Sequence, residues 1–141
     1  MADFDTLYEQ NHRIGEMANV LSFLIKDRQM CDADITCKLF FQYVNAVNEH
    51  LDLEERTLYK PLLTHSATRK LAENFLGGSA EIKRVFKQYV RHWCKNNELH
   101  IKDHQEFLDD TNKMFELIWN RIVDESEKLY PAVKKAEARA A

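Results

Sequence analysis

Apolar residues recur along this chain at intervals of three and four, the spacing that places side chains on one face of an α-helix. One such stripe runs from Phe40 through Tyr43 and Val47 to Leu58. The alternating, β-branched runs of a sheet protein are missing from the sequence. The pattern predicts four amphipathic segments, at about Phe4–Lys26, Asp34–Leu63, Ser79–Cys94 and from near His100 past Pro131.

Breaks between these segments are few, because the chain contains only 3 glycines and 2 prolines. The run Leu76-Gly77-Gly78 predicts the end of a looser stretch that begins at Thr64, and Ser79 then suits the N-cap of the third helix. Asn96-Asn97 predicts the next turn, and Pro131 predicts a break or kink in the last helix. Short turns between successive helices favour an all-α, antiparallel up-down four-helix bundle.

A length of 141 residues fits one domain, residues 1–141, with a single core. The net charge of -3 gives no basis for nucleic-acid binding, and no apolar run reaches the roughly 20 residues of a membrane span. The N-terminus lacks the basic and apolar regions of a signal peptide, and Cys31, Cys37 and Cys94 form no CxxC pair. These features predict a cytoplasmic protein with reduced thiols and a fraying C-terminal tail over 134–141.

His50 and Glu54 lie four residues apart on the apolar stripe of the second helix. A buried, unpaired carboxylate is costly, so such a group is normally paired or bound to a metal. We therefore expect both side chains to be buried, with a positive charge opposite Glu54. A bound metal and a metal-free hydrogen bond between the two side chains both satisfy this expectation.

The second and fourth helices end in similar segments. In the run from Asn48 to Tyr59 and the run from Trp119 to Tyr130, a glutamate lies five residues before a tyrosine that follows a leucine, and a proline comes shortly after. In an up-down bundle these two helix ends lie at the same end of the molecule. Glu54 and Glu125 are therefore expected at similar heights.

These motifs resemble the hemerythrin-like, or HHE, cation-binding domains, which are four-helix bundles that typically hold two non-haem irons. Each half of the family pattern supplies one histidine from an early helix and a His-x-x-x-Glu from the next, followed by a Leu-Tyr-Pro-like ending. The resemblance spans nearly the whole chain. It implies metal ligation by His12, His50, Glu54, Glu81 and Glu125.

The second half of the chain departs from the family pattern at two positions. Glu81, or alternatively Glu73, stands where the early histidine is expected, and Arg121 replaces the histidine of the second His-x-x-x-Glu. A guanidinium stays protonated and has no free lone pair, so Arg121 cannot bind a metal. It can pair with Glu125 one turn later and neutralise carboxylates in a metal's place. One or two irons are implied, and single or sub-stoichiometric occupancy is expected.

The resemblance implies O₂ or NO binding, iron handling or sensing. No enzyme activity is predicted, because no nucleophile and base can be named; a di-iron oxidase or NO-processing enzyme is a further alternative. Arg121 with Glu125, and the region from His50 to Arg56, also resemble more faintly the regulator-of-sigma-D family, helical bundles that bind a transcription sigma factor. The chain would then be metal-free, with a dimer or partner surface on the apolar arc of the first helix: Ile14, Met17, Leu21 and Leu24.

Other polar residues are secondary candidates for metal ligation. Glu16 lies one turn after His12 and could add a carboxylate. His92, His100 and His104 would form a second site if they converged, since transition metals take such histidine sets. Positions in turns or on the surface would account for these polar residues without a metal.

Overall fold

The computed structural model describes residues 3–140, most of which lie in helices. Four of the helices are long, and the remaining elements connect or extend them. In chain order the elements are α1 (Phe4–Leu24), α2 (Arg28–Cys31), α3 (Asp34–Thr57), α4 (Tyr59–Leu63), α5 (Ser66–Trp93), β1 (Cys94–Lys95), β2 (Glu98–Leu99), α6 (His104–Asp124), a π-helical segment (Glu125–Leu129) and α7 (Tyr130–Ala140). The prediction of an all-α protein is confirmed for the described part of the chain.

Aspartate side chains cap the first and the last of the long helices. Asp3 accepts a hydrogen bond from the Thr6 N–H before α1, and Asp103 accepts one from the Glu106 N–H before α6. Each bond satisfies a backbone donor that has no partner within its helix. Because of the cap at Asp103, the fourth long helix begins at His104, four residues after the predicted start.

The predicted helix stop at Gly77-Gly78 is wrong. Helix α5 continues through both glycines, and neither has a positive φ. A glycine inside a helix costs about 1 kcal/mol relative to alanine, and the burial of Phe75 and Ile82 on one face of α5 offsets that cost. Ser79 is consequently a buried residue within the helix and not an N-cap.

The turn predicted at Asn96-Asn97 is present, and it joins the strands of a short antiparallel hairpin. Both asparagines have a positive φ, 54° and 61°, a conformation that asparagine adopts more readily than most residues. In the ladder, Cys94 pairs with Leu99 and Lys95 pairs with Glu98. The hairpin connects α5 to α6.

The last helix is interrupted by a widened turn at the predicted break. The Tyr130 N–H donates to the Glu125 carbonyl, a π-helical hydrogen bond that spans five residues. Pro131 follows immediately, and in a regular α-helix its ring would press against the carbonyl four residues earlier. The tail that was expected to fray is helical through Ala140, while Ala141 lies outside the described residues.

The long helices pack against one another around a core that has two apolar parts. Helices α1 and α5 each contact both α3 and α6. The larger apolar cluster draws on all four long helices through residues such as Ile14, Val47, Ile82 and Ile118. The smaller cluster consists of Leu7, Leu58, Tyr59, Leu62, Ala72, Phe75, Leu129, Tyr130, Val133 and Ala136.

A layer of buried polar side chains separates the two apolar clusters. Along each long helix, the polar residue falls between positions of the smaller and the larger cluster. The layer consists of Asn11 on α1, His50 and Glu54 on α3, Ser79 on α5 and Glu125 directly after α6. Burying polar groups in this way is stable only when each of them has a hydrogen-bond or ionic partner.

No helix in the described part of the chain is both long enough and apolar enough to cross a membrane. Cys31, Cys37 and Cys94 are free thiols, the first two buried and the third half-buried.

Candidate metal centre

Three titratable side chains converge within the polar layer. His50 and Glu54 lie one turn apart on α3, Glu125 follows α6, and none of the three is more than 2% exposed. His50 Nε2 lies 2.9 Å from Glu125 Oε1 and 3.4 Å from Glu54 Oε2. The predicted burial of His50 and Glu54 is confirmed, and Glu54 and Glu125 lie at similar heights as expected.

Gln10 of α1 orients the His50 ring. Its side-chain oxygen lies 2.8 Å from His50 Nδ1, and because an amide oxygen only accepts hydrogen bonds, Nδ1 carries a proton. Nε2 is then the nitrogen that faces the carboxylates. In the neutral ring, this nitrogen would present its lone pair to a cation between them.

Arg121 supplies the positive charge that the sequence placed near Glu125. Its Nε donates to Glu125 Oε2 at 2.9 Å, and its Nη2 lies 3.6 Å from Glu54 Oε1. The other guanidinium hydrogen bonds are donated to the Phe75 carbonyl from Nη1 at 2.8 Å and to the Tyr59 hydroxyl from Nη2 at 2.9 Å. With its side chain only 9% exposed, Arg121 is an internal cation and not a surface residue.

Gly78 leaves the space in which the guanidinium lies. A Cβ atom at this position would be 3.0 Å from Arg121 Nη1, closer than carbon and nitrogen normally approach without movement. A Cβ atom at the neighbouring Gly77 would contact nothing within 4 Å. The second of the two glycines therefore serves the site, although the sequence suggested that both ended a helix.

Two tyrosines at matching places in the repeated segments each bond to a side chain from the opposite half. The Tyr130 hydroxyl donates to Glu54 Oε2 at 2.9 Å and also lies 3.2 Å from Glu125 Oε1. The Tyr59 hydroxyl accepts from Arg121. In a regular α-helix, residues five apart point about 140° apart, so the π-helical turn is what lets Tyr130 reach the carboxylate of Glu125.

The carboxylates differ in their ease of protonation because the hydrogen bond between them favours the neutral form of Glu54 and the charged form of Glu125. Burial and the neighbouring Glu125 raise the pKa of Glu54 to about 7. Burial has the same tendency at Glu125, but hydrogen bonds and the charges of His50 and Arg121 lower its pKa to about 2. Burial alone would lower the pKa of His50, but its hydrogen bonds to both carboxylates raise it to about 9.

The cluster has the donor set and the spare capacity of a cation site. One donor atom from each of His50, Glu54 and Glu125 lies within 4.8 Å of the other two, and among the described residues this is the group that could hold a metal ion. Oε1 of the fully buried Glu54 accepts no hydrogen bond, although Arg121 Nη2 lies 3.6 Å away, and Oδ1 of Asn11 accepts none either. Unsatisfied buried acceptors are rare in proteins, and carboxylate and imidazole donors suit a divalent transition metal.

Two of the residues that the family resemblance assigned to the metal lie away from this cluster. The His12 side chain is 73% exposed and pairs with Glu16 at 2.8 Å, while Glu81 is exposed and pairs with Arg84. The alternative, Glu73, is exposed as well. The turn of α1 that meets the cluster instead presents Asn11, whose Nδ2 donates to the Tyr130 hydroxyl at 3.3 Å.

Sequence reasoning missed Gln10, Asn11 and Tyr130 as members of the site, and it missed Tyr59 as the partner of Arg121. The two tyrosines carried a signal, since the repeat placed a tyrosine five residues after each glutamate. Gln10 and Asn11 carried none, because a polar residue beside an apolar stripe is ordinarily exposed.

The three histidines considered for a second site do not converge. His104 Nε2 donates to the Ile25 carbonyl at 2.7 Å, and His100 Nε2 lies 3.2 Å from the Lys95 carbonyl. His92 is exposed and packs edge-on against the Trp93 ring.

Arg121 also lines a surface pocket of about 440 Å³ between α5 and α6, together with Phe75, Ile82 and Leu117. Neither Glu54 nor Glu125 lines this pocket, and both are fully buried. Arg121 therefore stands between solvent and the candidate metal ligands on this side of the molecule.

Comparisons of the chain with family models, with curated proteins and with solved structures find no match.

Proposed function

We propose that this protein binds one non-haem iron ion through His50, Glu54 and Glu125, in a hemerythrin-like four-helix bundle that has kept three of the six ligand positions of the family pattern. The observation that carries the proposal is the convergence of three buried donor atoms within 4.8 Å. The near-complete burial of the three side chains supports it, because buried carboxylates are normally paired with a cation or bound to a metal.

A single ion is proposed because Arg121 already provides one of the positive charges that the carboxylates require. Its guanidinium contacts Glu125 and lies 3.6 Å from Glu54. The guanidinium stays protonated and has no free lone pair, so Arg121 cannot act as a ligand to a second metal. The site then consists of one metal position beside one fixed organic cation.

Iron at this position would supply reversible binding of a small ligand such as O₂ or NO, which is the role that the family resemblance implies. The protein's own contribution is to restrict access and orient the ligands. Gln10 holds the His50 ring with Nε2 toward the carboxylates, and the near-complete burial of all three ligands admits only very small molecules. Iron sensing or iron storage would use the same three ligands.

The test is metal analysis of protein purified without chelators and of the chelator-treated protein reloaded anaerobically with ferrous iron. We expect at most one iron per chain. His50→Ala should lose most of it, because the substitution removes a central ligand, whereas His12→Ala should retain it because His12 is exposed. Retention of two irons per chain, or equal loss in the two variants, would contradict the proposal.

A metal-free regulatory protein is the second candidate, and the position of Arg121 favours it. Arg121 and a protonated His50 together balance the two carboxylate charges without any metal, and Tyr130 donates a further hydrogen bond. The apolar arc of α1 that was expected to form the partner surface is largely buried. Ile14, Met17 and Leu21 of α1 lie buried in this chain's own core, and the exposed apolar residues of α1 are Tyr8, Val20 and Phe23.

Metal content separates the two candidates. A chain that takes up no iron under anaerobic loading, while remaining folded and stable, would favour the regulatory protein. Turnover of O₂ or NO by the iron-loaded chain would favour the enzyme alternative instead.

A further inference from the structure

We propose that Tyr130 is the fourth protein ligand of the metal. This inference rests on the proposed function of the same site and adds a residue type that the three-residue group lacks. Its basis is a closed ring of four donor atoms: His50 Nε2, Glu125 Oε1, the Tyr130 hydroxyl oxygen and Glu54 Oε2.

The sides of this ring have similar lengths. From His50 Nε2 to Glu125 Oε1 the distance is 2.9 Å, and from there to the Tyr130 oxygen it is 3.2 Å. From the Tyr130 oxygen to Glu54 Oε2 the distance is 2.9 Å, and from there back to His50 Nε2 it is 3.4 Å. Each carboxylate oxygen thus contacts both the imidazole and the phenol.

These lengths match the spacing of neighbouring ligands around a metal. Donor atoms about 2.0–2.2 Å from an ion lie roughly 2.9 Å apart at right angles and roughly 3.4 Å apart in a tetrahedron. All four sides of the ring fall between these values. An ion could therefore replace the hydrogen-bonding protons while the four side chains keep their places.

Burial and the charges of Glu125 and Glu54 raise the pKa of the Tyr130 phenol, so its proton would be lost only when a metal ion binds the oxygen. Asn11 donates a hydrogen bond to the phenol oxygen at 3.3 Å, and such a donor stabilises a phenolate more than a phenol. When the oxygen–metal bond forms, the phenol O–H bond breaks and its proton leaves to solvent. No electron is transferred in this step.

Tyr59 is not a candidate metal ligand, although it occupies the equivalent sequence position in the other repeat. Its hydroxyl accepts a hydrogen bond from Arg121 Nη2 at 2.9 Å, so the group nearest to it is a cation. Tyr59 is therefore a matched control for Tyr130, with the same side chain, a similar depth of burial and the opposite electrostatic partner.

The experiment loads the wild-type, Tyr130→Phe and Tyr59→Phe chains anaerobically with ferrous iron, oxidises the bound iron with ferricyanide and records the visible spectrum. Wild type and Tyr59→Phe should show a phenolate-to-ferric charge-transfer band and tyrosinate ring modes in resonance Raman spectra. Tyr130→Phe should lose both and bind ferrous iron about 10- to 100-fold more weakly. Loading with Zn²⁺ should release one proton fewer per ion from Tyr130→Phe than from wild type.

Iron-loaded wild-type protein without the band or the ring modes would overturn the assignment of Tyr130 while leaving the three-residue site standing. An unchanged band in Tyr130→Phe would overturn it equally. A wild-type chain that takes up no metal in elemental analysis would overturn the proposed function, and this assignment with it. The Raman measurement on wild type requires no variant to fold.

Discussion

The Tyr130 hydroxyl donates a hydrogen bond to Glu54, a residue from the other half of the chain, at 2.9 Å. The reverse exchange joins Arg121 to Tyr59, also at 2.9 Å. Each repeat thus completes its polar contacts with a tyrosine of the other repeat. Neither half can satisfy these buried groups alone, so substitutions in the two halves should be energetically coupled.

Replacing Arg121 with alanine should destabilise the metal-free protein by roughly 3–5 kcal/mol, because it strands two buried carboxylates. Urea unfolding in the presence of a chelator measures the change. Arg84→Ala is the control, since Arg84 forms an exposed pair with Glu81 and its removal should leave the unfolding midpoint within error. Equal effects of the two substitutions would show that the Arg121 contacts contribute little.

Replacing Arg121 with histidine restores the second His-x-x-x-Glu and should raise the iron content per chain above that of wild type. The new imidazole adds a neutral ligand where a permanent cation had excluded one. Arg121→Gln removes the same charge without adding a metal ligand of this kind. If the iron content of Arg121→His does not exceed that of Arg121→Gln, the idea of a half-retained ligand pattern is incorrect.

The metal-free protein should lose stability as the pH rises from 6.5 to about 9. Hydrogen bonds to Glu125 and Glu54 outweigh the opposing effect of burial and raise the pKa of His50 from 6.5 to about 9. Stability from a raised pKa is fully present below the unfolded-state value and is lost as the pH rises through the folded-state value. The loss should be about 3 kcal/mol. In His50→Gln this component should be missing, and parallel unfolding profiles for the two proteins would argue against a charged His50.

Gly77→Ala should stabilise α5 by about 0.5–1 kcal/mol, because alanine favours the helix and a Cβ atom there meets nothing within 4 Å. Gly78→Ala brings the same helical gain but forces its Cβ to within 3.0 Å of Arg121 Nη1. The guanidinium is held by three hydrogen bonds and cannot yield freely. Thermal unfolding should therefore rank Gly78→Ala below Gly77→Ala; the reverse order would mean that Arg121 moves without cost.

The apolar stripes made much of the core predictable from sequence. The residues at Phe40, Tyr43, Val47 and Leu58 are buried as expected, because the helical period alone determines which positions share a face. The same period placed His50 and Glu54 in the interior. Register between helices was also predictable where a repeat supplied it, which is why Glu54 and Glu125 could be expected at similar heights.

The orientation of α1 was not predictable from its residues. One position along a helix is a rotation of about 100°, and this rotation separates the exposed His12 from the buried Asn11. The family resemblance required His12 to face the bundle, whereas packing of α1 against α3 and α6 turned the arc with Ile14 and Met17 inward. The roles of Gly78 and of the π-helical turn were hidden for a similar reason, since both depend on contacts with side chains elsewhere in the chain.

The polar layer also bears on how an ion could reach a site with no opening of its own. The smaller apolar cluster, built largely from α4, α7 and the first half of α5, forms a core separate from the larger one. Hydrogen bonds and ion pairs of the layer lie where the two meet. A region joined in this way can detach as a local unfolding unit while α3 stays intact. The rate at which this end of the molecule opens would then set the rate of metal uptake. More frequent opening would speed both the binding and the release of the ion.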